Sequence, residues 1–115
     1  MMTIISSSRY RLNREYIRAI AAAYLKAGSY DDRYSLNIIF VGKNKMSSIA
    51  QKYKHENEAL PVLSFPYHEG VGNEYLLGEV FICYPQAVLL AAERNKKVDF
   101  ILKFLLEHGI KNIIK

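Results

Sequence analysis

Apolar residues recur at Tyr16, Ile17, Ile20, Ala21, Tyr24 and Leu25. Steps of three and four put them on one side of a helix. Asn13 is suited to cap that helix and Gly28 to stop it. Ahead of it, Met2 to Ser6 is short and β-branched enough for a first strand. Asp31 and Asp32 mark a turn, and LNIIFV at Leu36 to Val41 is a near-continuous apolar run of β formers, the pattern of an interior strand. Asn44 is placed to cap a second helix through about Tyr53, with Met46, Ile49, Ala50 and Tyr53 on its buried side. Lys54 to Ala59 is polar and loop-like. Val62 to Phe65 is a short strand that Pro66 should end, and Tyr67 to Tyr75 has two glycines and suits a hairpin connection. Leu76 to Cys83 is the returning strand. Pro85 fits the first turn of a helix running to about Arg94. A last helix is predicted over roughly Lys97 to Ile114, with Phe100, Ile101, Phe104, Leu105, His108 and Asn112 on one stripe.

The predicted order is β-α-β-α-β-β-α-α. A hairpin within a helix-rich chain implies an α+β fold, a mixed sheet of about four strands with helices packed against it. At 115 residues, positions 1–115 are expected to form one domain. A chain of this size buries roughly two-thirds of its unfolded surface. No apolar run approaches the roughly 20 residues that cross a bilayer, so no membrane partner is expected. The start has no small-residue cleavage pattern. A lone cysteine, Cys83, cannot pair within the chain, and a cytoplasmic location is the expectation.

The net charge of +5 changes the picture by favouring anionic partners, nucleic acid first. Lys43, Lys45, Lys52 and Lys54 flank the second predicted helix. Arg9, Arg11, Arg14 and Arg18 gather near the start, and Arg94, Lys96 and Lys97 mark a later turn. Tyrosines 10, 16, 53, 67, 75 and 84 lie among or near these charges. Cations neutralise phosphates, and aromatic rings stack on unpaired bases. The glycines of GVGNEY lack the strand-to-helix setting of a phosphate-cradling loop, and no dinucleotide fingerprint or serine elbow is present.

Three segments carry more specific information: VLSFP at Val62 to Pro66, LLGEVFICYP at Leu76 to Pro85, and LKFLLEHG at Leu102 to Gly109. LNIIFVGKNKM and IAQKYK precede them. In order and spacing the chain resembles the YbeY family, the metal-dependent, single-strand-specific endoribonucleases of ribosomal RNA maturation, over roughly Ser35 to the C-terminus. Tyr53 matches the tyrosine of the family's Tyr-Arg pair, and Lys54 stands where the arginine would be. Ala59, Leu60 and Pro61 replace Pro-Thr-Asp, whereas Val62 to Pro66 match. Leu77 and Gly78 match, and Glu79 takes the place of an aspartate.

The family's metal motif is His-Gly-x-x-His followed by a third His. Histidines four apart on a helix reach one ion, and three such ligands leave zinc an open position for water. Here His108 and Gly109 match, Asn112 occupies the second ligand position, and the sequence ends at Lys115 ahead of the third. An amide oxygen is a poor zinc partner. The resemblance therefore implies zinc as cofactor, with weak or no binding expected from these residues. His55, His68, Glu69, Glu79 and Cys83 are the other potential donors. The loop histidines are expected to be solvated and the strand cysteine buried.

The resemblance implies ribosomal RNA or the small ribosomal subunit as partner. If hydrolysis occurs, His108 is expected to act as metal ligand or general acid/base and Lys54 as phosphate contact. Lys43, Lys45, Lys52 and Lys54 are the expected nucleic-acid contacts. Two other readings keep the fold: a non-catalytic RNA- or ribosome-binding module, and a protein-interaction domain. The latter would use Ile110, Ile113 and Ile114 of the last helix for a partner or a second copy.

Overall fold

A computed structural model describes residues 2–55 and 60–114. Positions 56–59 of the expected polar loop, Ala59 among them, lie outside the described residues. Four strands and four helices follow in the expected order: β1 (Met2–Ile5), α1 (Arg14–Ala27), β2 (Tyr34–Val41), α2 (Lys43–Lys54), β3 (Val62–Val71), β4 (Glu74–Cys83), α3 (Tyr84–Arg94) and α4 (Val98–Lys111). The sheet order is β1-β2-β4-β3. β1, β2 and β4 are parallel, and β3 runs antiparallel to β4 along the far edge. The mixed four-stranded α+β architecture expected from the pattern is the one observed.

Alternation along the strands divides the molecule into two apolar layers. Leu36, Ile38 and Phe40 of β2, with Val80 and Ile82 of β4, point into the large core made with α1, α3 and α4. Val41 of β2, Leu63 of β3 and Cys83 of β4 join Met46, Ile49 and Ala50 of α2 in a smaller cluster on the other face, with Ile39, Phe65 and Phe81 packed against it. A single helix covers this second face.

The predicted cap at Asn13 forms, its side chain accepting from the Tyr16 amide at 3.0 Å. Asn44 does not cap α2. The helix starts two residues earlier, at Lys43, with Gly42 as the N-cap and no side-chain bond. Pro66 does not end β3 either. The strand steps over it through an irregularity between Pro66 and Glu69 and pairs again as far as Val71. Proline is tolerated here because β3 is an edge strand and the ladder is broken at that point. His68, with φ 52°, sits in that irregularity, and its Nε2 lies 3.1 Å from the Ile113 carbonyl. It is exposed, as expected, but it is a strand residue beside the end of α4 and not a loop residue.

Two of the arginines near the start have structural work. Arg14 and Arg18, one helical turn apart on α1, donate to the carbonyls of Ile4 at 2.9 Å and Met2 at 3.0 Å. These groups belong to the edge strand β1, so the two guanidiniums occupy positions another chain's strand would otherwise use.

The last helix lies rotated by about one position from the predicted stripe. Ile101, Leu102, Leu105, Leu106, Gly109 and Ile110 are buried. Phe100 and Phe104 are each 54% exposed, and His108 and Asn112 face solvent. Ile110 and Ile113 sit in the core, and Ile114 packs against it. The isoleucines therefore do not form the free apolar surface expected for a partner.

Gly109 explains why α4 approaches the sheet so closely. A Cβ there would stand 2.6 Å from Val80 Cγ1 and 3.1 Å from Ser64 Oγ. Ser64 Oγ–H donates to the Gly109 carbonyl at 2.8 Å, tying β3 to the last turn of α4. Overpacking a core costs about 1–3 kcal/mol, and the better helix propensity of alanine returns up to about 1 kcal/mol. Gly109→Ala is thus expected to lower the unfolding free energy by about 1 kcal/mol, read from urea denaturation. An unchanged or higher midpoint would contradict this contact.

Candidate functional site

Side chains that alternate toward α2 floor an open groove. β4 contributes Glu79 and Phe81 to it, and β3 contributes Phe65 and Tyr67. From α2 come Lys45, Ser48, Ile49, Lys52 and Tyr53, whose spacing of three and four places them along one side of the helix. The groove encloses about 540 Å³, a volume in the usual range for small-ligand sites.

Its walls are aromatic. The rings of Phe65 and Phe81 meet edge-to-face with centroids 5.6 Å apart, and Tyr53 meets Phe65 the same way at 5.5 Å. The rim is cationic: Lys52 Nζ lies 5.2 Å from the Tyr53 centroid and Lys54 Nζ 5.4 Å from that of Phe65. Lys43 stands at the opposite end of α2, beside Arg9, Tyr10 and Lys45.

At the floor, Glu79 is fixed from both sides. Tyr67 Oη–H donates to Oε1 at 2.8 Å from β3, and Asn37 Nδ2–H donates to Oε2 at 3.1 Å from β2. Asn37 and Glu79 are direct partners in the β2–β4 ladder. Burial, and then the bond to the Glu79 carboxylate, push the Tyr67 hydroxyl up to about 12. Tyr67 therefore remains a donor at neutral pH, and its share of stability, present below about pH 10, fades as pH rises toward 12. The sequence reading does not join these three residues. A signal was available, since Asn37 and Glu79 are the polar interruptions of the two central apolar strands.

The His108 corner is separate. α4 packs on the opposite face of the sheet from α2, so the helices carrying His108 and Lys54 are divided by strand β3. His108 is exposed, and its carbonyl accepts from the Asn112 amide at 3.3 Å as the helix ends. Asn112 is the C-cap of α4. Of the alternative donors, His68 contacts the Ile113 carbonyl, Glu79 is engaged in the groove and His55 caps the end of α2. Cys83 is fully buried, and burial pushes its thiol above the usual range.

The sequence model of the family described as endoribonuclease YbeY matches residues 5–113. The chain belongs to the YbeY family. An endoribonuclease YbeY of Dehalococcoides mccartyi strain BAV1 is 30% identical over 117 residues, an alignment covering 90% of this chain and 73% of that protein. One from Anaeromyxobacter sp. strain Fw109-5 is 31% identical over 116 residues, covering 98% of this chain and 60% of its own length. The solution structure of TM1509 from Thermotoga maritima superposes with a TM-score of 0.65 at 19% identity, over all of this chain and 73% of that one. That likeness extends to the fold.

Membership of the YbeY family implies a bound metal. At the matching helix this chain offers the His108 imidazole and the Asn112 carboxamide. Zinc favours imidazole, thiolate and carboxylate donors, and a catalytic site takes three of them. The described residues at this corner do not fit a zinc ion. The two YbeY segments that touch here, VLSFP through Ser64 and the His-Gly pair through Gly109, are joined by packing and one hydrogen bond.

Glu79→Gln removes the negative charge that holds the Tyr67 proton. The Tyr67 phenol, followed by ultraviolet absorbance against pH, is expected to titrate at about 12 in the native chain and at lower pH in the variant. Identical curves would show that the carboxylate does not govern Tyr67.

Proposed function

We propose that this chain acts in ribosomal RNA maturation by holding single-stranded RNA across the α2 face of the sheet. YbeY membership supports the RNA substrate class. The observation that carries the placement is the groove itself, with a lysine rim on one helix and aromatic walls on two strands. Lysines neutralise phosphates without selecting a sequence, and exposed rings accept unstacked bases. Lys43, Lys45, Lys52 and Lys54 spread along a helix of 12 residues, about 18 Å at 1.5 Å per residue. That length matches a few nucleotides of backbone. Lys54 supplies the charge but not the planar fork of the arginine it replaces, so it attracts phosphate without gripping it in two places.

The same reading assigns binding, not zinc-activated hydrolysis, to the residues described. His108 alone gives one nitrogen donor, and a hydroxide held by zinc needs more. A role for His108 as general acid/base would act on RNA reaching around the β3 edge.

The test is binding of a fluorescent uridine oligomer, followed by anisotropy across a potassium chloride series. Log affinity is expected to fall linearly with log salt, each phosphate contact adding about 0.7 to the slope on a single strand. Lys45→Ala with Lys52→Ala should flatten the slope by about 1.4. Binding insensitive to salt would refute the proposal. Elemental analysis of the same protein is expected to find zinc well below one per chain. Stoichiometric zinc, with chelator-sensitive cutting lost in His108→Ala, would instead make this corner a working metal centre.

A further inference from the structure

Glu79 is a carboxylate on the floor of a groove whose rim is lysine, and its geometry is fixed before any ligand arrives. Resting on the RNA reading above, we infer that the groove is a guanine-selective subsite, with Glu79 reading the base. Each carboxylate oxygen can accept two hydrogen bonds. Tyr67 occupies one position on Oε1 and Asn37 one on Oε2. Both oxygens keep an acceptor position, and the donors from β3 and β2 pin the plane of the group. The result is a rigid fork of two acceptors.

Among the four RNA bases, only guanine presents two adjacent donors on one edge, N1–H and the N2 amine. Adenine and cytosine each set a ring-nitrogen acceptor beside their amine, and uracil sets carbonyls on both sides of N3–H. An acceptor against a carboxylate is repelled, so the fork penalises the other three bases as well as rewarding guanine. Phe65 and Phe81 supply apolar surface against which a base can stack. Lys45 and Lys52 stand where its phosphates would run.

A guanidinium is also a planar two-donor group, so an arginine from a protein partner is the competing occupant. The rim decides between them. Lys45 and Lys52 line the groove, and they repel an approaching cation and attract a phosphodiester.

The experiment compares fluorescent UUGUU, UUAUU, UUCUU and UUUUU at one salt concentration. UUGUU is expected to bind about tenfold tighter than the others, the scale of one bidentate base contact. Replacing the guanine by inosine, which lacks the N2 amine, should remove most of that preference. In Glu79→Gln the ratio of UUGUU to UUUUU affinity should fall to about one, with folding checked by thermal melting. In the unaltered chain, guanosine monophosphate should shift the amide resonances of Phe65, Glu79 and Phe81, and adenosine monophosphate should not. Salt-dependent binding with no guanine preference would overturn this inference and leave the RNA proposal standing. Absence of RNA binding would remove both. Displacement of UUGUU by free arginine, at concentrations where lysine has no effect, would reassign the fork to a protein partner.

Discussion

Strand β4 must satisfy two faces at once, and the rest of the molecule follows from how it does so. It is hydrogen-bonded to β2 on one side and β3 on the other. Val80 and Ile82 enter the three-helix core, whereas Glu79, Phe81 and Cys83 turn toward α2. A shift of one residue in register would exchange these sets, burying a carboxylate among leucines and exposing two aliphatic side chains. The register is secured from the core side by the close fit of Gly109 over Val80 and Ser64.

The three-helix side builds stability and the α2 side offers chemistry. α1, α3 and α4 pack on one face, with large side chains such as Ile17, Leu36, Ile101 and Leu106 almost inaccessible. α2 alone leaves part of its face open, and Tyr53 and Tyr67 stay 56% and 41% exposed. The basic charge divides along the same line. Arg14 and Arg18 are engaged with β1, whereas Lys45 and Lys52 of α2 line the groove. A net charge of +5 thus serves both an edge-protecting role and a surface suited to polyanions.

The element order was legible because each helix carries a full apolar period and each strand a run of β formers. Asn13, Gly28 and Pro85 marked ends that the structure keeps. Pro66 misled because proline's usual veto on a strand does not apply at an edge irregularity. The apolar stripe of α4 differs by one position from the periodicity because Phe100 and Phe104, the largest apolar residues of the helix, are outside. Gly109, with no side chain, is inside because only hydrogen fits against Val80. At this corner the glycine packs against the sheet and the histidine beside it faces water. The lysines of α2 and Tyr53 could be named in advance, but their meeting with Phe65, Tyr67 and Glu79 could not. Those contacts join segments far apart in the chain, and single-sequence periodicity does not report which strands are neighbours.

The most direct measurement is photocrosslinking of the native chain to a single-stranded RNA carrying 4-thiouridine, with the attachment sites read by mass spectrometry. RNA held on the α2 face predicts adducts at Tyr53, Phe65, Tyr67 and Phe81. Adducts concentrated instead at Phe100 and Phe104 of α4, with the groove residues unmodified, would contradict the account.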